Sequence, residues 1–146
     1  MIAYVDSSIL ARAYLIDEVG HEAAVALLEN PDVVLVTGTW SRVEISGALV
    51  RAARVGRGDE RGLLALLDAD LGQDGPVTVV TAPQMEVEAM ALTLVRQHAL
   101  RAMDAWHLAV GSLTLTRLAE PDEATGFASR DQAQAEVATH LGLQVI

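Results

Sequence analysis

Ile2-Ala3-Tyr4-Val5-Asp6-Ser7-Ser8 places four apolar residues ahead of one acid and two hydroxyls. A short, unbroken apolar run is the pattern of a strand buried on both faces, which is how strands of a covered parallel sheet read. Asp, Ser and Ser are residues that cap helices, so the stretch predicts a strand that ends on a carboxylate and feeds a helix over about residues 9–16. Working outward, the alternation repeats. Apolar runs at 33–36, 77–80, 126–129 and 143–146 predict further strands. Helical patterns cover about 21–29, 39–55, 59–71, 83–98, 104–118 and 131–141. Asn30-Pro31, Gly56-Arg57-Gly58 and Gly72-Gln73-Asp74-Gly75-Pro76 separate them. In the fifth helical pattern Val87, Met90, Ala91, Leu94 and Val95 recur at helical spacing on one face. The expectation is α/β: one domain over 1–146, a mostly parallel sheet of four or five strands, and about seven helices covering it in three layers.

Such sheets bind ligands in the crevice beyond the carboxyl ends of their strands. Asp6 and Asp131 follow two predicted strands, while Glu44 and Asp104 lie early in two long helical patterns. Acids gathered from distant segments repel one another unless a cation stands between them, and Mg²⁺, a hard ion that prefers oxygen ligands, is the natural occupant. The expected chemistry is metal-assisted hydrolysis of a phosphodiester. Taken singly, Asp6 and Asp131 also read as helix caps, and Asp104 as an acid favouring its own helix N-terminus. Glu44 shares a stripe with Gly47, Ala48 and Arg51, on the border of a small-residue face.

Composition sets the bounds. The chain has 146 residues, 51% hydrophobic and 3% aromatic, so its core is built of Ala, Leu and Val. No apolar stretch approaches the roughly 20 residues that cross a bilayer, and Asp6 with no basic leader is unlike a secretory signal. The absence of cysteine excludes disulfides and thiolate metal sites and fits a reducing cytoplasm. Twenty acids against ten bases give a net charge of −10, which opposes phosphate binding. All ten bases are arginine, the side chain that grips phosphate bidentately.

Tyr4-Val5-Asp6-Ser7-Ser8, Arg42-Val43-Glu44, Met103-Asp104-Ala105-Trp106-His107-Leu108-Ala109 and Ser129-Arg130-Asp131 together resemble the PIN-domain ribonucleases, in particular the VapC-type toxins of bacterial toxin–antitoxin pairs. The resemblance runs in order over essentially the whole chain. It implies an endoribonuclease dependent on Mg²⁺ or Mn²⁺, usually a homodimer, acting on RNA and held inactive by a VapB-like antitoxin. Asp6, Glu44 and Asp104 would be core metal-site acids and Asp131 the fourth. Ser129 stands where Thr is common, which keeps the hydroxyl.

Other residues admit two readings. Ser7 and Ser8 either bond a site acid or cap the helix, and Arg12, one turn beyond Ser8, either reaches substrate phosphate or lies solvated. Arg51, Arg54, Arg57 and Arg61 either contact RNA or balance Asp59 and Glu60. His107 lies one turn after Asp104 and reads as structural and hydrogen-bonded; Trp40 and Trp106 read as core or cleft wall. A receiver domain needs a lysine, and the chain has none. A HAD-like phosphatase needs Asp-x-Asp where Asp6-Ser7-Ser8 stands. The remaining alternatives are a PIN nuclease of RNA processing without an antitoxin and a non-catalytic PIN-fold module that binds metal or RNA.

Overall fold

The computed structural model describes all 146 residues. In chain order the elements are β1 (Ile2–Val5), α1 (Ser7–Tyr14), α2 (His21–Leu28), β2 (Val34–Gly38), α3 (Thr39–Arg54), α4 (Glu60–Asp70), β3 (Val77–Val80), α5 (Gln84–His98), α6 (Ala102–Leu118), β4 (Thr125–Ala128), α7 (Gln132–His140) and β5 (Gln144–Val145). The five strands form one sheet in the order β3-β2-β1-β4-β5, and every pairing is parallel. Seven helices cover its two faces, giving the three-layer α/β/α architecture expected from the apolar runs. No helix is long and apolar enough to cross a membrane.

Period-two alternation along the strands divides the apolar residues between two cores. Ile2 and Tyr4 of β1, Val36 of β2 and Phe127 of β4 face one side, where they pack with Leu94 of α5, Leu108 and Leu115 of α6 and Val137 of α7. Ala3 and Val5, Leu35 and Ala128 face the other, against Leu10 of α1, Ile45 and Leu49 of α3 and Leu67 of α4. Burial on both faces is why these strands read as unbroken apolar runs.

The boundaries depart from expectation in small, explicable ways. Asp6 accepts from the Ser8 backbone N–H, so α1 starts at Ser7, ahead of residue 9, and it stops at Tyr14, leaving Ile16 83% exposed. The second strand runs past the expected residue 36: β2 continues through Gly38, and α3 begins at the next residue. The α6 helix starts at Ala102, which puts Asp104 inside its first turn.

One contact sets how closely α6 lies on the sheet. A Cβ placed at Gly111 would meet Tyr4 Cγ at 3.0 Å and Phe127 Cε2 at 3.3 Å. Those two rings are themselves stacked, 5.4 Å apart. Gly111→Val is therefore expected to destabilise the fold by about 1–3 kcal/mol through overpacking, read as a lower melting temperature. An unchanged melt would show that the layer has slack.

Candidate active site

The chain builds β1, β2 and β3 outward to one side, then returns to place β4 on the other side of β1. The switch point between β1 and β4 opens a crevice at their carboxyl ends, and Asp6 and Asp131 stand at its two lips. Asp6 caps α1 and is 4% exposed. Its Oδ2 accepts from Ser8 N at 3.2 Å and from Ser8 Oγ at 2.6 Å. Ser8 Oγ in turn accepts from Arg130 N at 3.3 Å, tying the β1–α1 junction to the β4–α7 loop.

Asp131 caps α7 by accepting from Gln134 N at 3.0 Å. The fully buried Gln134 joins two of the site's strands of chain: its Nε2 donates to the backbone oxygen of Asp104 at 3.0 Å, and its Oε1 accepts from Ser129 Oγ. Asp104 is half-buried. Burial, followed by the negative charges of Asp131 and Asp6, raises its carboxyl above the ordinary range, against smaller opposing effects of Arg101 and His107. Three of the expected acids thus share one field.

Glu44 enters from α3 and reaches the others through His107. His107 Nε2 lies 2.5 Å from Glu44 Oε2 and 3.6 Å from Asp6 Oδ1. The ring is 1% exposed, and its Nδ1 is 2.7 Å from the Tyr4 hydroxyl, which also accepts from Gly38 N at 3.0 Å. Burial pushes the Tyr4 phenol far up, so it keeps its proton. With the phenol oxygen accepting from Gly38, that proton goes to Nδ1. Nε2 is then the N–H that donates to Glu44, fixing the tautomer and aiming the carboxylate. Burial acts to raise the Glu44 carboxyl, but the His107 hydrogen bond, that ring's charge when protonated, and a hydrogen bond from Ser7 hold it below the ordinary range.

Of the four expected acids, Asp104 lies within reach of the charges of Asp131 and Asp6, and Glu44 and Asp6 both approach His107. They do not close into a ready-made cage, since no three His, Asp or Glu side chains stand together at metal-holding geometry. Their chemistry still fits a hard divalent ion: the expected donors are carboxylate oxygens, and after burial it is the negative charges of Asp131 and Asp6, more than the opposing Arg101 and His107, that raise Asp104.

Ser7 lines a small cavity with Ser8, Glu44 and Arg51. Arg12 is half-buried, not solvated, and borders a neighbouring cavity without touching the acids. Arg57 does not balance Asp59, which caps α4; it forms ion pairs with Asp17 and Glu18, on the segment between α1 and α2. Trp40 and Trp106 line a separate cavity beside Thr39, Gln84 and Val110, as a cleft wall. Tyr4 and Gln134 were not singled out from the sequence. Each bonds across more than 25 residues of chain, to His107 and to the Asp104 backbone, so no local pattern marks it.

The PIN domain family model matches residues 3–139. No curated protein matches the sequence. Among solved structures, the crystal structure of FitAcB from Neisseria gonorrhoeae is similar at 16% sequence identity with a TM-score of 0.53, covering 100% of this chain and 96% of that one. At that identity the likeness concerns the fold alone. With the family model running from the first strand through all but the end of the last helix, the chain belongs to the PIN domain family.

Proposed function

We propose that this chain is a metal-dependent endoribonuclease that cleaves RNA phosphodiester bonds by attack of water, with Mg²⁺ or Mn²⁺ held by Asp6, Glu44, Asp104 and Asp131. PIN domains are generally nucleases, which supports a hydrolase acting on nucleic acid. The observation that carries the reading is the convergence of the acids' segments: His107 stands between Glu44 and Asp6, and Gln134, capped by Asp131, bonds the Asp104 backbone. On the motif resemblance, the chain is further read as the toxin of a VapBC-type pair: a cytoplasmic homodimer neutralised by a VapB-like antitoxin.

A bound divalent ion supplies Lewis-acid stabilisation of charge on the phosphoryl oxygens and makes water a competent nucleophile at neutral pH. The rest is done by the chain's own groups. Ser8 holds Asp6 Oδ2, while Oδ1 lies 3.6 Å from His107 Nε2. His107 orients Glu44. Gln134, bonded to the Asp104 backbone and to Ser129, holds the start of α6 against the β4–α7 loop that carries Asp131. Ser7, which shares a small cavity with Glu44, and Arg12, one helical turn beyond Ser8, flank the approach of the substrate phosphates.

The test is cleavage of a defined RNA by the purified chain, with both new ends mapped. Hydrolysis by water leaves a 5′-phosphate and a 3′-hydroxyl and stops in EDTA. A 2′,3′-cyclic phosphate end, or full activity in excess chelator, overturns the mechanism. For the toxin reading, expression of the chain alone is expected to arrest growth, and co-expression of the antitoxin to relieve it.

A further inference from the structure

On a chain of net charge −10, a basic cavity of about 460 Å³ lies between α1 and α3, and four of the ten arginines border it: Arg12, Arg51, Arg57 and Arg130. Two of them are unspent. Arg12 Nε is buried without a hydrogen-bond partner, and Arg51 takes part in none of the molecule's ion pairs. The other two are held by one carboxylate. Glu18 bonds Arg57 Nη2 at 2.8 Å and stands 3.6 Å from Arg130 Nη1, while Asp17 takes the other edge of Arg57. A single anion bridging guanidinium groups from two different segments is the arrangement a phosphodiester adopts between arginines. These pairs are partly exposed, so they are weak and exchange readily with a competing anion. The cavity is continuous with the acidic centre: Ser8, on its wall, holds Asp6, and Arg51 also borders the small cavity of Ser7 and Glu44.

We propose that this cavity binds the phosphate backbone of the RNA strand as it leaves the acidic centre, and that Glu18 occupies the phosphate position until RNA displaces it. The proposal rests on the ribonuclease reading and adds to it the path of the strand and an internal competitor. It also gives so acidic a chain a place to hold a polyanion, since four of its ten arginines border this one cavity.

The experiment measures binding of a fluorescein-labelled single-stranded RNA by anisotropy across a salt series, in an Asp104→Asn background that does not cut. Wild-type cleavage is followed in parallel. Arg51→Gln is expected to weaken binding about fivefold and to lower the log–log salt slope by about 0.7, the share of one lost phosphate contact on a single strand. Glu18→Gln is expected to tighten binding by a comparable factor, because it removes the competitor. Arg51 is exposed and unpaired, so its loss leaves the melting temperature unchanged. Wild-type cleavage with unaltered binding by both variants overturns the channel and leaves the ribonuclease reading intact. Weaker binding by Glu18→Gln overturns the competitor role, making Glu18 a strut. Binding of polyglutamate in preference to RNA would assign the cavity to an acidic polypeptide and overturn the proposal. A wild-type chain that neither binds nor cuts RNA brings down the ribonuclease reading, and the channel with it.

Discussion

Asp6→Asn is expected to lower RNA cleavage by about a thousandfold, the scale seen when a preorganised electrostatic group is removed from an active site. The fold is expected to stand. The amide oxygen of Asn still accepts from the Ser8 backbone and hydroxyl, so the α1 cap survives and the negative charge alone is lost. Growth arrest caused by the wild-type chain is expected to disappear in the same variant. The measurement pairs a cleavage time course with thermal melting. Cleavage within a few-fold of wild type, in a variant that melts normally, would remove Asp6 from the chemistry and with it the argument from the switch point.

Metal is expected to raise the melting temperature by a large margin. An ion that binds only the folded state adds about 2.7 kcal/mol at a hundred times its dissociation constant, which is roughly 5–10 °C for a chain of this size. Asp104 sets the sign of a second effect. Its folded-state carboxyl holds a proton at higher pH than the unfolded chain does. The stability linked to that proton is therefore present below the ordinary carboxylate range and lost as pH rises through the raised value. At neutral pH the charged Asp104 costs stability. In EDTA, Asp104→Asn is accordingly expected to melt higher than wild type by about 2 °C, after discounting for the solvent that reaches this half-buried group. The same variant is expected to lose most of the Mg²⁺ response. A destabilised Asp104→Asn in EDTA would mean that the acids do not strain one another. An unchanged wild-type melt across millimolar Mg²⁺ would leave the site without its ion.

How much of this was legible in the chain differs between its levels. The sheet was legible because strands buried on both faces read as apolar runs, and Ile2–Val5, Val77–Val80 and the run near Phe127 stand out from polar surroundings. The end of β2 was read short, at residue 36, since Thr37-Gly38-Thr39 has turn composition. Thr37 Oγ1 is instead used within the layer, donating to the Val5 carbonyl, and Gly38 is there because a Cβ would come within 2.7 Å of the Tyr4 hydroxyl. The acids were legible one by one, from their places after strands and early in helices. What the sequence withheld was the pairing. Glu44 and His107 are 63 residues apart and Tyr4 and His107 are 103 apart, so the imidazole that aims Glu44 had no local signature beyond lying one turn past Asp104. For the same reason the sequence offered Arg57 only RNA or its neighbours Asp59 and Glu60, when its partners lie some forty residues upstream.

The chain of contacts from the Gly38 amide through Tyr4 and His107 to Glu44 runs through the dry interior beneath the crevice. Its first member sits where a strand passes into a helix with no intervening loop to flex. Hydrogen exchange at that amide is then expected only on global opening, at the slowest rate in the molecule. Glu44, anchored this way, has no private route to disorder: on the proposed function, heat should abolish activity and tertiary structure in one transition, with no softened, inactive intermediate before it.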